Sequence, residues 1–227
     1  EYVQEVEGEF LDIGNALIPN SLLREAVRDK KPEGKVSYFM GVDVARSGRD
    51  ETVYTVVGVD QNDEVYVEDV SAEKQSNVVD VCGRINEMVR DYKLETVFID
   101  ETGLGGGLID LAREQDIPAR GVVFSLQEKA SMYKNLRLLF ENHKITLKKV
   151  DKMVYQLSYL TREYTEAGIM KIKSEEHDDY PDSLVLASPQ MIFSSGTLNP
   201  CPFNLSSIAR ANPQLWAWCS PRSGTAR

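Results

Sequence analysis

The chain has 227 residues, 42% hydrophobic and 27% charged, which is the composition of a soluble globular protein with one core and room for an appendage. No run approaches the roughly 18 uninterrupted apolar residues of a membrane span, and the acidic first residues lack the basic-then-apolar layout of a signal peptide. Cys82, Cys201 and Cys219 lie far apart and form no CxxC pair, which favours a reducing compartment and argues against a zinc site.

The net charge of −10 is unevenly distributed along the chain. Residues 1–119 hold 12 Lys and Arg against 26 Asp and Glu, whereas residues 120–173 hold 11 against 5. A basic segment in an acidic protein is either an electrostatic footprint for phosphates or a set of cations that solvate helix faces. Charge alone does not decide between these two interpretations.

The first half of the chain predicts a lead-in followed by a meander of strands. The lead-in, residues 1–35, holds an amphipathic stretch at 21–28 with Ser21 as a candidate N-cap. Three β-rich runs follow, and turn residues join the second run to the third; the runs lie at 36–45, 52–59 and 64–70, with the turn at 60–63. Apolar residues then recur at helical spacing from Val78 to Val89.

The second half predicts alternating strands and helices. Strands are predicted at 95–100, at 121–124 and, for a short one, near 145. Helices are predicted at about 107–115, 129–142 and 151–160, with a last helix from about Asp179. A hairpin at 164–173 is predicted to turn at Ala167-Gly168. A meander followed by β-α-β units predicts an α/β fold with a mixed sheet and helices on its faces. Periodicity is lost further on, so residues 191–227 read as a tail of unclear role, disordered or foreign to the domain.

Three acidic clusters lie at the ends of predicted elements. Asp43 is in the first strand, Asp100 closes the apolar run Val97-Phe98-Ile99, and the pair Asp178-Asp179 falls in the first turn of the last helix. Ligands of open α/β sheets bind at the carboxyl ends of the strands, and a helix start favours anions. Each aspartate alone is explained better as a cap or surface residue, but together they predict one site. Crowded carboxylates repel one another, so the site should hold hard divalent cations.

Such a cluster suits two-metal chemistry, in which a pair of cations roughly 3.5–4 Å apart activates water and stabilises the leaving oxygen in phosphodiester cleavage. Asp50 is either a further ligand or a turn cap. The residues Glu101, His177 and Asp182 are candidates for positions just behind the ligands, and Asp182 shares a helix face with Asp179. Asp179 is the preferred direct ligand of the third cluster, with Asp178 and Asp182 as alternatives.

The glycine-rich run at 103–107 is not a nucleotide-binding loop. It lacks the Lys-Ser/Thr of a P-loop and the spacing of a dinucleotide fold. Close approach of another backbone, either a polynucleotide or a packed helix, explains the glycines better.

Three segments together resemble the RNase H-like nuclease superfamily and, more narrowly, the nuclease domain of the large terminase subunit of tailed bacteriophages. These segments are 41–52, 98–107 and 177–187, and the helix at 132–140 is also similar to one in that family. The resemblance covers roughly residues 36–190. It divides the chain into a lead-in at 1–35, an RNase H-like nuclease domain at 36–190 and the tail at 191–227.

The resemblance implies a metal-dependent endonuclease that cleaves concatemeric double-stranded viral DNA in the host cytoplasm, with Mg²⁺ or Mn²⁺ in a two-metal site. Carried over by motif, Asp43, Asp100 and Asp179 would be the catalytic metal ligands, with Asp178 a further ligand beside them. The implied partners are DNA, a packaging ATPase domain, the portal and the small terminase subunit. This chain has no P-loop motif of its own.

Six basic residues are predicted to hold DNA phosphates without reading sequence: Lys129, Lys134, Arg137, Arg162, Lys171 and Lys173. Two other functions stay open at this level. One is a related junction resolvase that acts on branched DNA, and the other is a non-catalytic packaging module that keeps the acids for assembly. Competition between a plasmid and a four-way junction separates the first, and the absence of divalent-ion binding would favour the second.

Overall fold

The fold is built around one mixed sheet. The computed structural model describes residues 15–29, 34–45, 51–74, 77–102, 105–166, 168–174 and 177–188. The six strands of the sheet are Val36–Asp43 (β1), Glu51–Asp60 (β2), Val65–Lys74 (β3), Thr96–Asp100 (β4), Ala119–Val122 (β5) and Ile145–Thr146 (β6). They lie in the order β5-β4-β1-β2-β3-β6. A separate hairpin consists of Thr161–Tyr164 (β7) and Met170–Lys173 (β8).

The described helices fall where the apolar spacing predicts them, to within a few residues at each end. They are Asn20–Ala26 (α1), Val78–Tyr92 (α2), Gly105–Glu114 (α3), Leu126–Glu141 (α4), Asp151–Ser158 (α5) and Asp179–Ala187 (α6). The Asn77 side chain caps α2, and the Ser125 hydroxyl caps α4 by accepting from the Glu128 N–H. Helix α1 begins at Asn20 after Pro19, so Ser21 is not its cap. None of these helices is long and apolar enough to cross a membrane.

The meander β1-β2-β3 is antiparallel, as the turn residues between β2 and β3 predict. The Asp60 carboxylate accepts the backbone N–H groups of Asn62 (2.8 Å) and Glu64 (2.9 Å), and Asp63 adopts a left-handed φ of 61°. Aspartate is common in tight turns for both reasons: its carboxylate can accept a backbone N–H two residues further on, as Asp60 does, and it tolerates a positive φ, as Asp63 does. The mixed antiparallel and parallel sheet predicted from the sequence is confirmed.

Strands β1, β4 and β5 run parallel, so their carboxyl ends lie at one edge of the sheet. Val42 of β1 pairs with Ile99 of β4, which places Asp43 and Asp100 side by side just beyond that pair. The register of the sheet therefore brings the first two acidic clusters together.

The two faces of the sheet are covered by different helices. Val42 of β1 and Val44, just beyond the strand, belong to the core beneath α2 and α3. Because side chains alternate along a strand, Gly41 and Asp43 face the opposite side, where α6 packs on β1 and β2. Only a residue without a side chain lets α6 approach β1 this closely, since a Cβ on Gly41 would overlap the backbone of Ser183 and Ala187.

Part of the predicted lead-in is packed into the domain. Leu17 and Ile18 are fully buried, and the Leu17 N–H donates to the Leu160 carbonyl (2.8 Å). Ala16 pairs antiparallel with Thr161 at the start of β7. Helix α1 packs against α4 and α5. The apolar residues of this segment thus complete the core, while residues 1–14 and the predicted tail at 191–227 lie outside the described residues.

Candidate active site

An acidic cavity of about 280 Å³ lies where β1 and β4 end and α6 begins. Among the described residues, six carboxylates and one ammonium line it. These lining residues are Asp43, Val44, Ala45, Glu51, Asp100, Phe124, Lys129, Asp178, Asp179 and Asp182. The three acidic clusters predicted to meet therefore do meet. The predicted residue Asp50 lies outside the described residues.

Asp100 is fixed by the chain that follows it. Its carboxylate accepts the Thr102 N–H (2.9 Å) and the Thr102 hydroxyl (2.6 Å). Helix α3 then starts directly against the strand end, since a Cβ on Gly105 would overlap the Asp100 carbonyl oxygen. The glycine at this position is therefore explained by a packed helix, one of the two close approaches that the sequence predicts.

The third cluster sits at the start of α6, as predicted. Asp178 occupies the N-cap position but its side chain makes no capping hydrogen bond, and Asp179 is the first helical residue. The buried amide of Gln156, on α5, accepts the Tyr180 N–H (3.0 Å) and so satisfies an end group of the helix. The carboxylate of Asp178 is left to face the cavity, where it also meets Lys129.

Asp43 is electrostatically strained where it stands. Burial raises the pKa of its carboxyl well above the usual range, and the neighbouring carboxylates of Asp182, Asp179 and Asp100 raise it further. Lys129 only partly offsets this rise in pKa. A cluster of this kind binds a cation favourably, because the ionised form of every member gains from a nearby positive charge.

Lys129 joins α4 to the acidic cluster. Its ammonium lies 2.7 Å from an Asp178 oxygen and 2.6 Å from an Asp182 oxygen. Burial alone would lower the pKa of Lys129, but Asp182 and Asp178 outweigh burial and raise it, so the ammonium is retained. The sequence predicts that Lys129 holds DNA phosphate. The structure places it among carboxylates, and its contact with DNA stays a prediction.

Asp182 is a buried support for this contact. The second oxygen of its carboxylate accepts the hydroxyl of Tyr133 (2.5 Å), and Tyr133 is fully buried. Burial raises the pKa of Asp182 to about 7, against the lowering effects of Lys129 and Tyr133. Both oxygens of the Asp182 carboxylate are thus engaged by protein groups, and its role behind the metal ligands stays a prediction.

Glu51 lines the cavity and was missed at the sequence level. The start of β2 lies beside the end of β1 in the antiparallel pair, where Asp43 pairs with Val53. Glu51 forms ion pairs with Lys152, on α5, and with Lys74 (3.5 Å), and the Lys152 hydrogen bond lowers the pKa of Glu51. The predicted meander was a usable signal, because Glu51 directly precedes the run predicted at 52–59, and the start of that run lies at the same edge as the end of the first strand.

Two other predicted residues lie outside the cavity lining. Glu101 is exposed, and its side chain lies against Gly121 on the neighbouring strand β5. His177 is exposed just before the third cluster. Neither residue is among those that line the cavity, so any role for them near the ligands stays a prediction.

The predicted DNA-binding residues of α4 differ in their surroundings. Lys134 is exposed to solvent. Arg137 pairs with Glu141 one turn further along the helix, with its Nε 2.7 Å from the carboxylate. The basic face of α4 is therefore partly neutralised by the helix itself.

The hairpin presents its cations on two faces. Lys171 and Lys173 are two residues apart in β8, so both side chains lie on the same face of the hairpin. The Lys173 ammonium pairs with the carboxylate of Glu163 on β7, at a nitrogen–oxygen distance of 2.6 Å. Arg162 pairs with Ile172 in the register and so lies on the other side. A single phosphate backbone running along one face would meet the lysines and miss the arginine.

Oxygen-rich lining suits Mg²⁺ or Mn²⁺, which prefer carboxylate and water ligands. The donor atoms of the cavity fit such a cation, because its carboxylates outnumber the ammonium of Lys129. Burial also disfavours the ionised form of Asp43, which a bound cation would stabilise. As the side chains stand, no three His, Cys, Asp or Glu residues in the described part of the chain are grouped closely enough to hold an ion. The carboxylates are spread around the cavity and not gathered on one point.

We expect the free energy of unfolding of the metal-free protein to fall as the pH rises from about 4 toward 7. Folding raises the pKa of the Asp182 carboxyl from its ordinary 3.8 to about 7. Its contribution to the stability of the native state is therefore complete below pH 3.8 and is lost as the pH rises through about 7. A pKa that differs by one between the folded and unfolded protein corresponds to about 1.4 kcal/mol of stability. Urea unfolding in EDTA at pH 5 and pH 7.5 measures the effect. Asp182→Asn should reduce it and leave the part due to Asp43, whose pKa is also raised. Equal stability at both pH values would contradict the expectation.

The fold and the site together define a class of protein. The sheet begins with an antiparallel meander that has an acid at the end of its first strand, and a parallel fourth strand carries a second acid. The last helix begins at an acidic pair. This arrangement is that of an RNase H-like domain. The chain belongs to the Terminase RNaseH-like domain family, whose model matches residues 40–188. The family predicted from the three motifs is confirmed.

Solved structures of phage large terminases share the fold. The large terminase nuclease from thermophilic phage G20c with bound magnesium is 19% identical, covers 77% of this chain and 97% of its own, and has a TM-score of 0.65. The nuclease domain from Thermus phage P74-26 is 18% identical over 76% of this chain and 94% of its own, with a TM-score of 0.60. The HK97 bacteriophage large terminase is 11% identical, with a TM-score of 0.63, and the match covers 76% of this chain and 43% of that protein. A comparison with curated protein sequences finds no match.

Proposed function

We propose that this chain is a divalent-metal-dependent DNA endonuclease that hydrolyses phosphodiester bonds at the acidic cavity. One observation carries the proposal: six carboxylates and one ammonium line a cavity at the carboxyl ends of β1 and β4 in a terminase RNase H-like domain. A protein that used this arrangement for stability alone would hold several mutually repelling charges that its own lysines compensate only in part.

Asp43, Asp100 and Asp179 are proposed to hold the metal ions, with Asp178 beside them. Mg²⁺ or Mn²⁺, bound as a pair, would supply a water nucleophile at neutral pH and stabilise charge on the leaving oxygen. Two observations support this assignment: Thr102 fixes the Asp100 carboxylate by hydrogen bonds, and the register between β1 and β4 sets Asp43 beside Asp100. Asp182 is excluded from direct ligation in this proposal because Lys129 and Tyr133 already occupy its two oxygens.

Structures of a related protein support the choice of a divalent cation. The large terminase nuclease of phage G20c has been solved with magnesium, with cobalt and with zinc bound. The three ions differ in ligand preference but share the charge of +2, which is the property that a crowded set of carboxylates selects first.

The substrate is proposed to be concatemeric double-stranded viral DNA, held by its phosphates. The exposed Lys134 and Lys171 are proposed as phosphate contacts, because contacts to the backbone position DNA without reading its sequence. Arg162, on the other face of the hairpin, stays a predicted contact. In the host cytoplasm the domain would work with a packaging ATPase domain, the portal and the small terminase subunit. The share of the HK97 large terminase that this chain matches, 43%, is consistent with a second domain in a protein of that kind.

The proposed function is tested by plasmid cleavage across a series of cations. We expect nicking and linearisation with Mn²⁺ and Mg²⁺, and no product with EDTA, because the carboxylates alone supply neither a nucleophile nor charge stabilisation. Ca²⁺ should bind without supporting cleavage at a comparable rate, since it is larger and holds its ligands in a looser geometry. Gel electrophoresis of a supercoiled plasmid over time measures all four conditions. Cleavage that persists in EDTA would contradict the proposal.

A further inference from the structure

We propose that Lys129 is the resident cation of the acidic site, a positioning residue that holds the carboxylates of α6 in place while no metal ion is bound. The proposal rests on the metal site proposed above, which it deepens. It concerns the state of the protein before a divalent ion arrives, when mutual repulsion among the acids is greatest.

Four protein groups surround the Lys129 ammonium. Its nitrogen contacts Asp178, the N-cap residue of α6, and Asp182 in the first turn of that helix. It also lies 5.6 Å from the ring centre of Phe124 and 5.8 Å from that of Tyr133. Aromatic faces attract a cation, and they also shield it from water. The Lys129 side chain is only 23% exposed, so its ammonium is confined to this position.

Asp182 anchors the arrangement from below. Its side chain is only 9% exposed, and its two oxygens accept from Lys129 and Tyr133. Lys129 and Tyr133 are one turn apart on α4, and Asp178 and Asp182 are one turn apart at the N-cap and in the first turn of α6. Two helices are therefore joined by matching pairs of residues, and the connection fixes the turn of α6 that carries Asp179.

Lys152 makes a comparable contact on the other side of α6 but cannot replace Lys129. It pairs with Glu51 and lies 4.9 Å from the ring centre of Tyr180, and its side chain is 48% exposed. A half-exposed pair contributes little, whereas removal of one partner of a buried pair leaves the other charge stranded. Loss of the Lys129 contact is therefore expected to destabilise the acidic cluster more than loss of the Lys152 contact.

The first test compares melting temperatures of the wild-type protein, Lys129→Met and the control Lys144→Met, in EDTA and in saturating Mg²⁺. Lys144 is exposed just beyond the far end of α4, and its ammonium donates to the Asn62 carbonyl, so the control removes a charge without touching the site. In EDTA we expect Lys129→Met to melt roughly 6–20 °C lower and the control to match the wild type. In Mg²⁺ at least half of the loss should be recovered, because a divalent ion replaces the missing charge.

The second test adds Asp182→Asn to Lys129→Met. The amide oxygen of asparagine still accepts from Tyr133, but the buried charge that Lys129 neutralised is gone. We expect the double variant to melt within a few degrees of the wild type in EDTA, and it provides a folded protein if Lys129→Met alone does not fold.

Two results would overturn the role of Lys129. One is a Lys129→Met protein as stable as the wild type in EDTA. The other is a loss of stability that neither Mg²⁺ nor Asp182→Asn recovers, which would mean that the lysine only fills space. A wild-type melting temperature that does not respond to Mg²⁺ would instead contradict the proposed metal site, and the Asp182→Asn comparison in EDTA would still decide the role of Lys129.

Discussion

Asp43→Asn is expected to abolish divalent-dependent DNA cleavage and, at the same time, to raise the melting temperature of the metal-free protein. The two effects have one cause. Burial and the charges of Asp182, Asp179 and Asp100 disfavour the ionised form of Asp43 and raise its pKa. An uncharged residue of the same shape relieves that repulsion but gives up the negative charge that a cation needs.

The expected loss of cleavage is at least about 10³-fold. Metal ions contribute several kcal/mol of transition-state stabilisation, and each 1.4 kcal/mol is a factor of about ten in rate. Initial rates of plasmid nicking in Mn²⁺ measure the loss, and thermal unfolding in EDTA measures the gain in stability. An Asp43→Asn protein that cuts at the wild-type rate would remove Asp43 from the site.

Asp110→Asn is the matched control for this experiment. Asp110 lies on α3 with its side chain 78% exposed and pairs with Arg113 at the surface. Exposed pairs of this kind are worth little. Both the cleavage rate and the melting temperature of the control should stay close to the wild-type values.

Gly41→Ala is expected to destabilise the protein by about 3 kcal/mol or more and to reduce cleavage as well. The new methyl group would overlap the Ser183 carbonyl oxygen and the Ala187 nitrogen and lie 2.8 Å from the Leu186 carbonyl carbon. These are backbone atoms of α6, so the helix itself must move away from β1. That movement would break the buried hydrogen bond between the Thr55 and Ser183 hydroxyls (2.7 Å) and displace Asp179.

Gly83→Ala makes the same chemical change where there is room for it. Gly83 is an exposed residue in α2, and a Cβ there would meet no atom within 4 Å. Alanine in a helix interior is about 0.5–1 kcal/mol more favourable than glycine, so this variant should be slightly more stable than the wild type. Urea unfolding of both variants measures the difference. Equal stability of the two would show that α6 tolerates the methyl group and that the packing on Gly41 is not restrictive.

The order of the elements was predictable from sequence because it depends on local signals. A β-rich run identified β1, and apolar residues at helical spacing identified α2. The rule that strand ends collect ligands linked Asp43 to Asp100 before any register was known. The position of Asp179 followed from the start of a helix, which is also a local property.

The environment of Lys129 was not predictable in the same way. Its partner Asp182 is 53 residues further along the chain, and a count of charges over 120–173 cannot show that one lysine is committed to a carboxylate. Nothing local distinguishes Lys129 from the exposed Lys134 on the same helix. Glu51 was missed for a different reason, because it opens β2 with no apolar run before it, and its place beside Asp43 depends on the pairing of β1 with β2.

The packing of residues 15–29 has a consequence for the smallest piece of this chain that can fold independently. A boundary at Val36, where the first strand begins, would remove Leu17, Ile18 and Leu23, all essentially buried. It would also leave the Leu160 carbonyl and the Arg162 N–H without the partners that Leu17 and Asn15 provide. We therefore expect a piece that folds on its own to begin no later than Asn15, so that residues 15–29 are as much a part of the domain as the first strand.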